Sequence, residues 1–327
     1  MSCIHEEIMR DGIDAVVARA QGKCDRVIAE IASAILKEES TKLGMTYAGF
    51  CFTALPHKRL PDDMRWIREN KNTKLIVEPG SIERNNETVS IGVPYGSRAR
   101  LILIYLQSEA IKNRSPTISL GQSMQDWLSR MGIPKGGKSY KDIREQADRL
   151  SACHLRFVWS DSKGSTAFIN SNFVRGGIAL RPGDSRQSEL WTDHVVLSDE
   201  YYKALNEHAV PVWEPAIREI GNRSMALDVY IWLAYRLHVL DRNTPISWLA
   251  VMEQFGAGFA HITDFRKSFK EALSFALAVY PEAKVDVSSD GLILHPSRSP
   301  VPKNVVSFAR PSRSFPTEGI SRLSAFR

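Results

Sequence analysis

Apolar residues recur along this chain at two spacings, and the change from one to the other marks out its elements. Residues 25–37 set Val27, Ile28, Ile31, Ala32, Ile35 and Leu36 on one stripe. That spacing predicts an amphipathic helix, of the kind that packs on its own domain more often than on a partner. Between Thr46 and Gly92 the pattern shortens to strand-like runs, Tyr47–Thr53, Leu75–Glu78 and Val89–Ile91, separated by Pro, Gly and Asn turn signals. Helical spacing returns over Ser97–Lys112 through Leu101, Ile104, Tyr105 and Ala110. An extended piece, Pro116–Leu120, leads to a helix over Ser123–Met131 with Met124, Trp127 and Leu128 inward. After a break at Gly132–Gly137, a third helix, Ser139–Cys153, turns Tyr140, Ile143, Ala147 and Leu150 to one face. Two β-like runs, Leu155–Ser160 and Thr166–Val174, close the set across Asp161–Ser165.

The set then recurs. A helix over Ser224–Leu240 turns Leu227, Ile231 and Tyr235 inward, Pro245–Ser247 is extended, and Trp248–Phe255 is helical. Gly256–Gly258 makes a turn, Ile262–Val279 a long third helix, and Ala283–Val287 pairs with Leu292–His295 across Ser288–Gly291. A local signature repeats with it: Arg114-Ser-Pro-Thr-Ile-Ser119 returns as Arg242-Asn-Thr-Pro-Ile-Ser247, an offset of 128 residues. Agreement in both signature and element order predicts a structural duplication. Helix, strand, helix, turn, helix, hairpin is the order of a winged helix, whose third helix can lie in a DNA major groove while the hairpin forms the wing.

The expected fold is therefore α+β, with two tandem winged-helix domains, an N-terminal helical and strand extension, and a flexible basic C-terminal tail. Residues 1–45 form an amphipathic helical segment, and 46–188 the first winged helix with a strand-rich lead-in. A link follows at 189–222, with a strand-like Leu190–Val196 and a short helix after Ser198. The second winged helix is 223–297, and the tail is 298–327. That tail holds Arg298, Lys303, Arg310, Arg313, Arg322 and Arg327 against Glu318, and its Ser and Pro content comes with little periodicity.

Composition narrows the classes. Purely apolar runs such as Leu101–Leu106 are far short of the roughly 20 residues a membrane span needs. Acidic Glu6, Glu7 and Asp11 stand where a signal peptide would be basic and then apolar, so the expected compartment is the cytoplasm. Cys3, Cys24, Cys51 and Cys153 are scattered, which argues against a metal site and against a disulfide framework. A net charge of +6 is compatible with nucleic acid and weak evidence for it.

The best functional signal is on the second third helix. Ile262, Phe265, Phe269, Leu273 and Ala276 share a narrow arc that must be buried, while Thr263, Lys267, Lys270 and Ser274 lie opposite, with Arg266 at the edge and Asp264 and Glu271 beside it. Basic and hydroxyl groups there suit phosphate contacts and base-edge hydrogen bonds, although a solvated face fits most lysine-bearing helices. The first copy sets Lys141, Arg144 and Arg149 on its helix among Glu145 and Asp148, a mixed face. Its hairpin region adds Arg156, Lys163 and Arg175, with Arg181 and Arg186 beyond, and fits either a wing gripping the DNA backbone or a solubilising surface. Gly132-Ile-Pro-Lys-Gly-Gly-Lys-Ser139 matches the phosphate-loop spacing GxxxxGK[ST]. That chemistry needs a buried strand feeding the loop, and the amphipathic Gln125–Arg130 precedes it instead. Lys135 and Lys138 then sit on a helix–helix turn where a DNA phosphate could lie. Histidines are dispersed, and no catalytic motif or paired-carboxylate face is present, so no cofactor, metal or enzymatic role is expected.

Four stretches together resemble the plasmid-encoded RepA replication initiators: Gly92-Val-Pro-Tyr-Gly-Ser97, Gly136-Gly-Lys138, Arg144-Glu-Gln-Ala-Asp-Arg-Leu150, and upstream Thr53-Ala-Leu-Pro-His-Lys58. The resemblance runs over about residues 45–295. It implies binding of double-stranded DNA at direct repeats of a plasmid origin, opening of that origin and recruitment of host replication proteins. It also implies a homodimer that represses in exchange with a monomer that initiates. In this family the Gly-Gly-Lys stretch is a turn ahead of a helix. Two rivals use the same residues: a winged-helix transcriptional repressor without a replication role, and a nucleotide hydrolase built on Gly132–Ser139. The last is directly testable. Lys138→Ala is expected to weaken duplex binding modestly and to leave no nucleotide phenotype; micromolar ATP binding by the unaltered chain, lost in the variant, would overturn this.

Overall fold

The computed structural model describes residues 4–70, 73–84, 86–160, 166–176 and 194–301. From the N-terminus, helices α1 (Ile4–Asp11), α2 (Ile13–Ala18) and α3 (Lys23–Leu36) precede strand β1 (Leu43–Tyr47) and the short helix α4 (Gly49–Phe52). Strands β2 (Trp66–Asn70), β3 (Thr73–Glu78), β4 (Gly80–Arg84) and β5 (Glu87–Ile91) follow. The first set is α5 (Gly96–Asn113), β6 (Thr117–Ser119), α6 (Met124–Arg130), α7 (Gly137–Ala152), β7 (His154–Ser160), β8 (Thr166–Asn172) and β9 (Val174–Arg175). After it come β10 (His194–Leu197), α8 (Asp199–Glu207), β11 (Ala209–Trp213) and α9 (Glu214–Glu219). The second set is α10 (Ser224–Arg236) with a 3₁₀ turn at Leu237–Val239, then β12 (Thr244–Ser247), α11 (Trp248–Phe255), α12 (Ile262–Ala278), β13 (Val285–Val287) and β14 (Gly291–Leu294). The architecture is mixed α+β with small antiparallel sheets.

Two compact units share the chain: Met45–Val210 forms one, and the residues before and after it form the other. The chain passes between them within β1 and again within β11. The expected elements of both sets are present within a residue or two, apart from one stretch. Tyr47–Thr53, expected as a strand, ends its strand at Tyr47 and turns into α4. The cause is Gly49: a side chain there would lie 2.6 Å from the rings of Phe157 and Tyr47, so only a bare backbone fits the turn. Thr53 Oγ1 closes the turn by donating to the Gly49 carbonyl at 2.9 Å.

In the inner unit, β2-β3-β7-β8 form a four-stranded antiparallel sheet whose inward row is Leu75, Val77, Leu155, Phe157 and Ile169. Helix α5 is buried along most of its length and packs on α7. Element order repeats between the two sets, but strand pairing does not. In the second set the extended piece joins its own hairpin, in the order β12-β14-β13. In the first, β6 pairs with β10, which pairs with β9 on its other side, and β7 of the hairpin pairs with β3 instead. The signature also diverges at its end. Ser247 caps α11 directly, its Oγ accepting from Ala250 N, whereas α6 starts at Ser123, four residues beyond Ser119.

In the outer unit α10 is buried on nearly every side, which is why its predicted narrow stripe understated its burial; Arg236 is enclosed while Tyr235 is half-exposed. Phe255, Phe265 and Phe269 interlock at ring-centre distances of 5.4 and 5.5 Å and hold α11 to α12. Helix α3 sets Ile28, Ile31 and Ile35 inward as expected and packs on α12, with Leu36 left exposed. His5 and the Ala278 carbonyl lie 2.9 Å apart, joining α1 to the end of α12. Residues 298–301 of the stretch read as a tail are built in: Tyr280 Oη donates to the Arg298 carbonyl at 2.6 Å, and Val301 is 2% exposed. The rest of that stretch lies outside the described residues, as does 177–193 of the expected link and first domain; β10, α8, β11 and α9 occupy the remainder of the link. A chain ending at Ser297 is expected to lose about 1.5–3 kcal/mol relative to one ending at Lys303, the worth of burying one valine. Paired denaturant titrations measure this, and equal midpoints would show that Val301 contributes nothing.

Candidate nucleic-acid interface

Helix α12 exists because its apolar arc has an aromatic floor. Phe265, Phe269, Leu273 and Ala276 are buried, and the opposite face carries Thr263, Lys267 and Lys270 in solvent. Ser274, expected beside them, is half-buried and donates from Oγ to the Lys270 carbonyl at 3.0 Å, turned back onto its own helix. Arg266, also expected there, is half-buried, its guanidinium carbon 5.4 Å from the Trp248 ring centre. Lys270 Nζ lies 5.6 Å from the same centre. No ion pair among the described residues involves Arg266, Lys267 or Lys270, although exposed Asp264 and Glu271 flank Lys267 on the same side of the helix. The β13–β14 turn beside them carries no cation: it is Ser288-Ser289-Asp290.

Helix α7 is built differently. Lys138 and Lys141 are exposed in its first two turns, with Lys135 exposed in the turn before it, and Arg144 is half-buried. Arg149 is a correction. Expected on the surface, it is 2% exposed, because the loop after α4 and the segment after β5 close over it. Its guanidinium gives 2.9 Å to Asp62, 3.1 Å to Glu145 and 3.3 Å to the Val93 carbonyl, and lies 5.2 Å from the Tyr95 ring centre. A side chain at Gly92 would stand 2.6 Å from it. Tyr95 N–H donates to Gln146 Oε1 at 2.8 Å, and Tyr95 Oη to Glu145 at 3.2 Å. A second buried cation, Arg100, is solvated by carbonyls: 2.7 Å to Leu55, 3.2 Å to Pro56 and 2.8 Å to Gly96. Burial, with Arg100 and Arg68 nearby, pushes His57 down to about 3, so its imidazole is neutral. Stretches 53–58, 92–97 and 144–150, far apart in the sequence, thus converge on two buried guanidinium groups. They hold α7 in place rather than present it.

The other expected cations are dispersed. Arg156 Nε donates to Asn170 Oδ1 at 3.0 Å on the sheet, and Arg175 is ion-paired with Asp199; Lys163, Arg181 and Arg186 lie outside the described residues. The Gly132–Ser139 loop joins α6 to α7, with no strand feeding it. Trp248 was missed because an aromatic at a helix start carries no signal of its own. The Arg149 cluster had one, in the neighbouring motifs already singled out.

These features define a mixed α+β chain with two copies of one helical and hairpin set, one of which turns a free basic helix face outward. Residues 93–250 match the family described as Plasmid encoded RepA protein, a shorter span than the 45–295 of the resemblance read from the sequence. Over that segment the resemblance to plasmid-encoded RepA is shown. Among solved structures, the chain is similar to a crystal structure of domain 2 and domain 3 of RctB at 11% identity and TM-score 0.44, over 67% of this chain and 79% of that one. A second RctB structure, of domains 2-3, gives 12% identity and TM-score 0.39 over 75% and 94%. Both scores fall below the level that shows a shared fold. None of the curated proteins compared with the chain matches it. No described helix is long and apolar enough to cross a membrane.

The cluster around Arg149 gives a pH prediction. Burial raises the Asp62 carboxyl, but hydrogen bonds from Arg149 and Arg59 outweigh it and hold the group below its ordinary 3.8. A lowered folded value means stabilisation that is fully present above 3.8 and is lost as the pH falls below it. Asp62→Asn is therefore expected to flatten the acid limb of a melting-temperature profile below that value, at a lower plateau near neutrality. An acid limb parallel to that of the unaltered chain would remove Asp62 from the account.

Proposed function

We propose that this chain initiates plasmid replication by sequence-specific binding of double-stranded DNA at repeated origin sites, without enzymatic chemistry of its own. Both element sets are read as winged helices, the second being the more complete: its strand and hairpin make one three-stranded sheet beside two helices. The observation that carries the reading is the face of α12, where Thr263, Lys267 and Lys270 stand exposed and unneutralised on a helix fixed from behind by Phe265 and Phe269. The family match over 93–250 supports a plasmid replication role. Lys135, Lys138 and Lys141 fit phosphate positioning by the first set, with Arg144 beside them. Host replication proteins, autorepression by a homodimer and a cytoplasmic setting belong to the same proposal. Direct repeats of about 20 base pairs would suit two linked winged helices reading successive grooves. The transcriptional-repressor alternative separates in one assay: whether a DNA circle carrying the gene and its flanking repeats replicates autonomously.

Discrimination between sequences is expected to reside in the second set. Lys267→Ala/Lys270→Ala leaves the aromatic floor intact, so the chain should fold. A lysine that reads a guanine edge should relax that position by roughly 1–3 kcal/mol. Lysines that touch only phosphates should weaken all duplexes evenly and lower the salt slope by about one unit each. Lys138→Ala/Lys141→Ala, titrated in parallel on preferred and scrambled duplexes, should show the even loss. The assignment fails if the first-set pair relaxes discrimination and the second-set pair keeps it.

A further inference from the structure

We infer that Trp248 is a positioning residue for sequence reading, orienting Arg266 and Lys270 on α12 and tying them to the turn of the adjoining hairpin. The inference rests on the duplex-binding reading above and deepens it by dividing the cations of α12 into two kinds.

Arg266 and Lys270 are four residues apart on one helix, so their like charges repel. A carboxylate between them would hold them together and cancel the charge that a duplex needs. The indole does the first without the second: both cations lie within 6 Å of its ring, at 5.4 and 5.6 Å, attracted by the negative π-face with no opposite charge to offset them. Arg266 Nε is buried without a hydrogen-bond partner, so no acceptor at that atom explains its lie against the ring. Lys267, on the same exposed face, makes no ring contact among the described residues and keeps the freedom of an ordinary surface lysine.

The platform is itself immobile. Trp248 is 2% exposed, its ring meets Phe269 edge-on at 6.0 Å, and its Nε1–H donates to the Ser288 carbonyl at 3.1 Å. Its backbone N–H donates to the Asp290 carbonyl at 3.0 Å. Both acceptors belong to the β13–β14 turn, so the same residue fixes hairpin, helix α11 and the two cations. A side chain pre-oriented in this way reaches a base edge with little further ordering, whereas a free lysine suits the diffuse potential of phosphates. Arg266 and Lys270 are assigned to sequence reading, and Lys267 to backbone contact.

The test uses the full chain, with a duplex that it selects from a random-sequence pool and a scrambled duplex of equal composition. Ring-tetrafluorinated tryptophan installed at position 248 keeps shape and N–H but removes the negative face. The selected-over-scrambled affinity ratio is expected to fall about three- to tenfold, with scrambled-duplex affinity and melting temperature unchanged. Trp248→Phe, which keeps a π-face, should hold the ratio within about twofold. An unchanged ratio with the fluorinated ring overturns the inference alone, whether or not Trp248→Phe lowers it, since any loss there would then belong to the Ser288 hydrogen bond. An unaltered chain that selects no sequence from the pool overturns the duplex-reading proposal and this inference with it.

Discussion

A guanidinium with 2% of its side chain exposed has left water, and the protein must answer its charge from every direction. Around Arg149 that requirement recruits Asp62 from one loop, Glu145 from its own helix, a carbonyl from Val93 and the face of Tyr95. Leaving a buried cation without its carboxylate is costly, although solvent reaching Asp62 and Glu145 softens the loss. The surrounding residues are therefore constrained together: Gly92 has no space for a side chain, Gln146 must meet the Tyr95 backbone, and Arg100 must find three carbonyls. The position of α7, and through it the hairpin and sheet that follow, depends on this ion being satisfied.

The two copies of the set diverge in what they do with their cations. In the first, the third helix turns an arginine inward and is held by loops that precede it, and its hairpin is drawn into a larger sheet with β2 and β3. In the second, the hairpin keeps to its own strand, and the third helix is held from behind by aromatic rings and by helices α3 and α10. Its polar face is left to solvent. One element order thus yields a braced module and an open one, and the difference lies in a few side chains rather than in the succession of helices and strands.

Periodicity made nearly every helix and hairpin of both sets legible in the sequence, because each buries at least one continuous stripe. It could not give the strand partners: β6 and β12 each end a copy of the same six-residue signature, yet one pairs with β10 and the other with β14. Pairing is set by what else is available to bond, which local pattern does not contain. The α12 face was legible for Thr263, Lys267 and Lys270, since their exposure follows from helical phase. Arg149 was not, because helical phase gives direction but not the loop that comes from far along the chain to cover it. Ser274 was misjudged for a smaller reason, its hydroxyl finding a carbonyl four residues back.

The insertion of Met45–Val210 between the two sequence halves of the other unit has a consequence for the order in which the chain can fold. Helix α3 leaves the ribosome early with Ile28, Ile31 and Ile35 ready to be covered, yet α12, on which it packs, is among the last helices made. The inner unit can close in that interval from residues already synthesised. The outer one cannot, and its first helices wait with their apolar stripe open until nearly the whole chain is present. A pause in translation before α12 would leave α3 without that partner while the inner unit can already be closed.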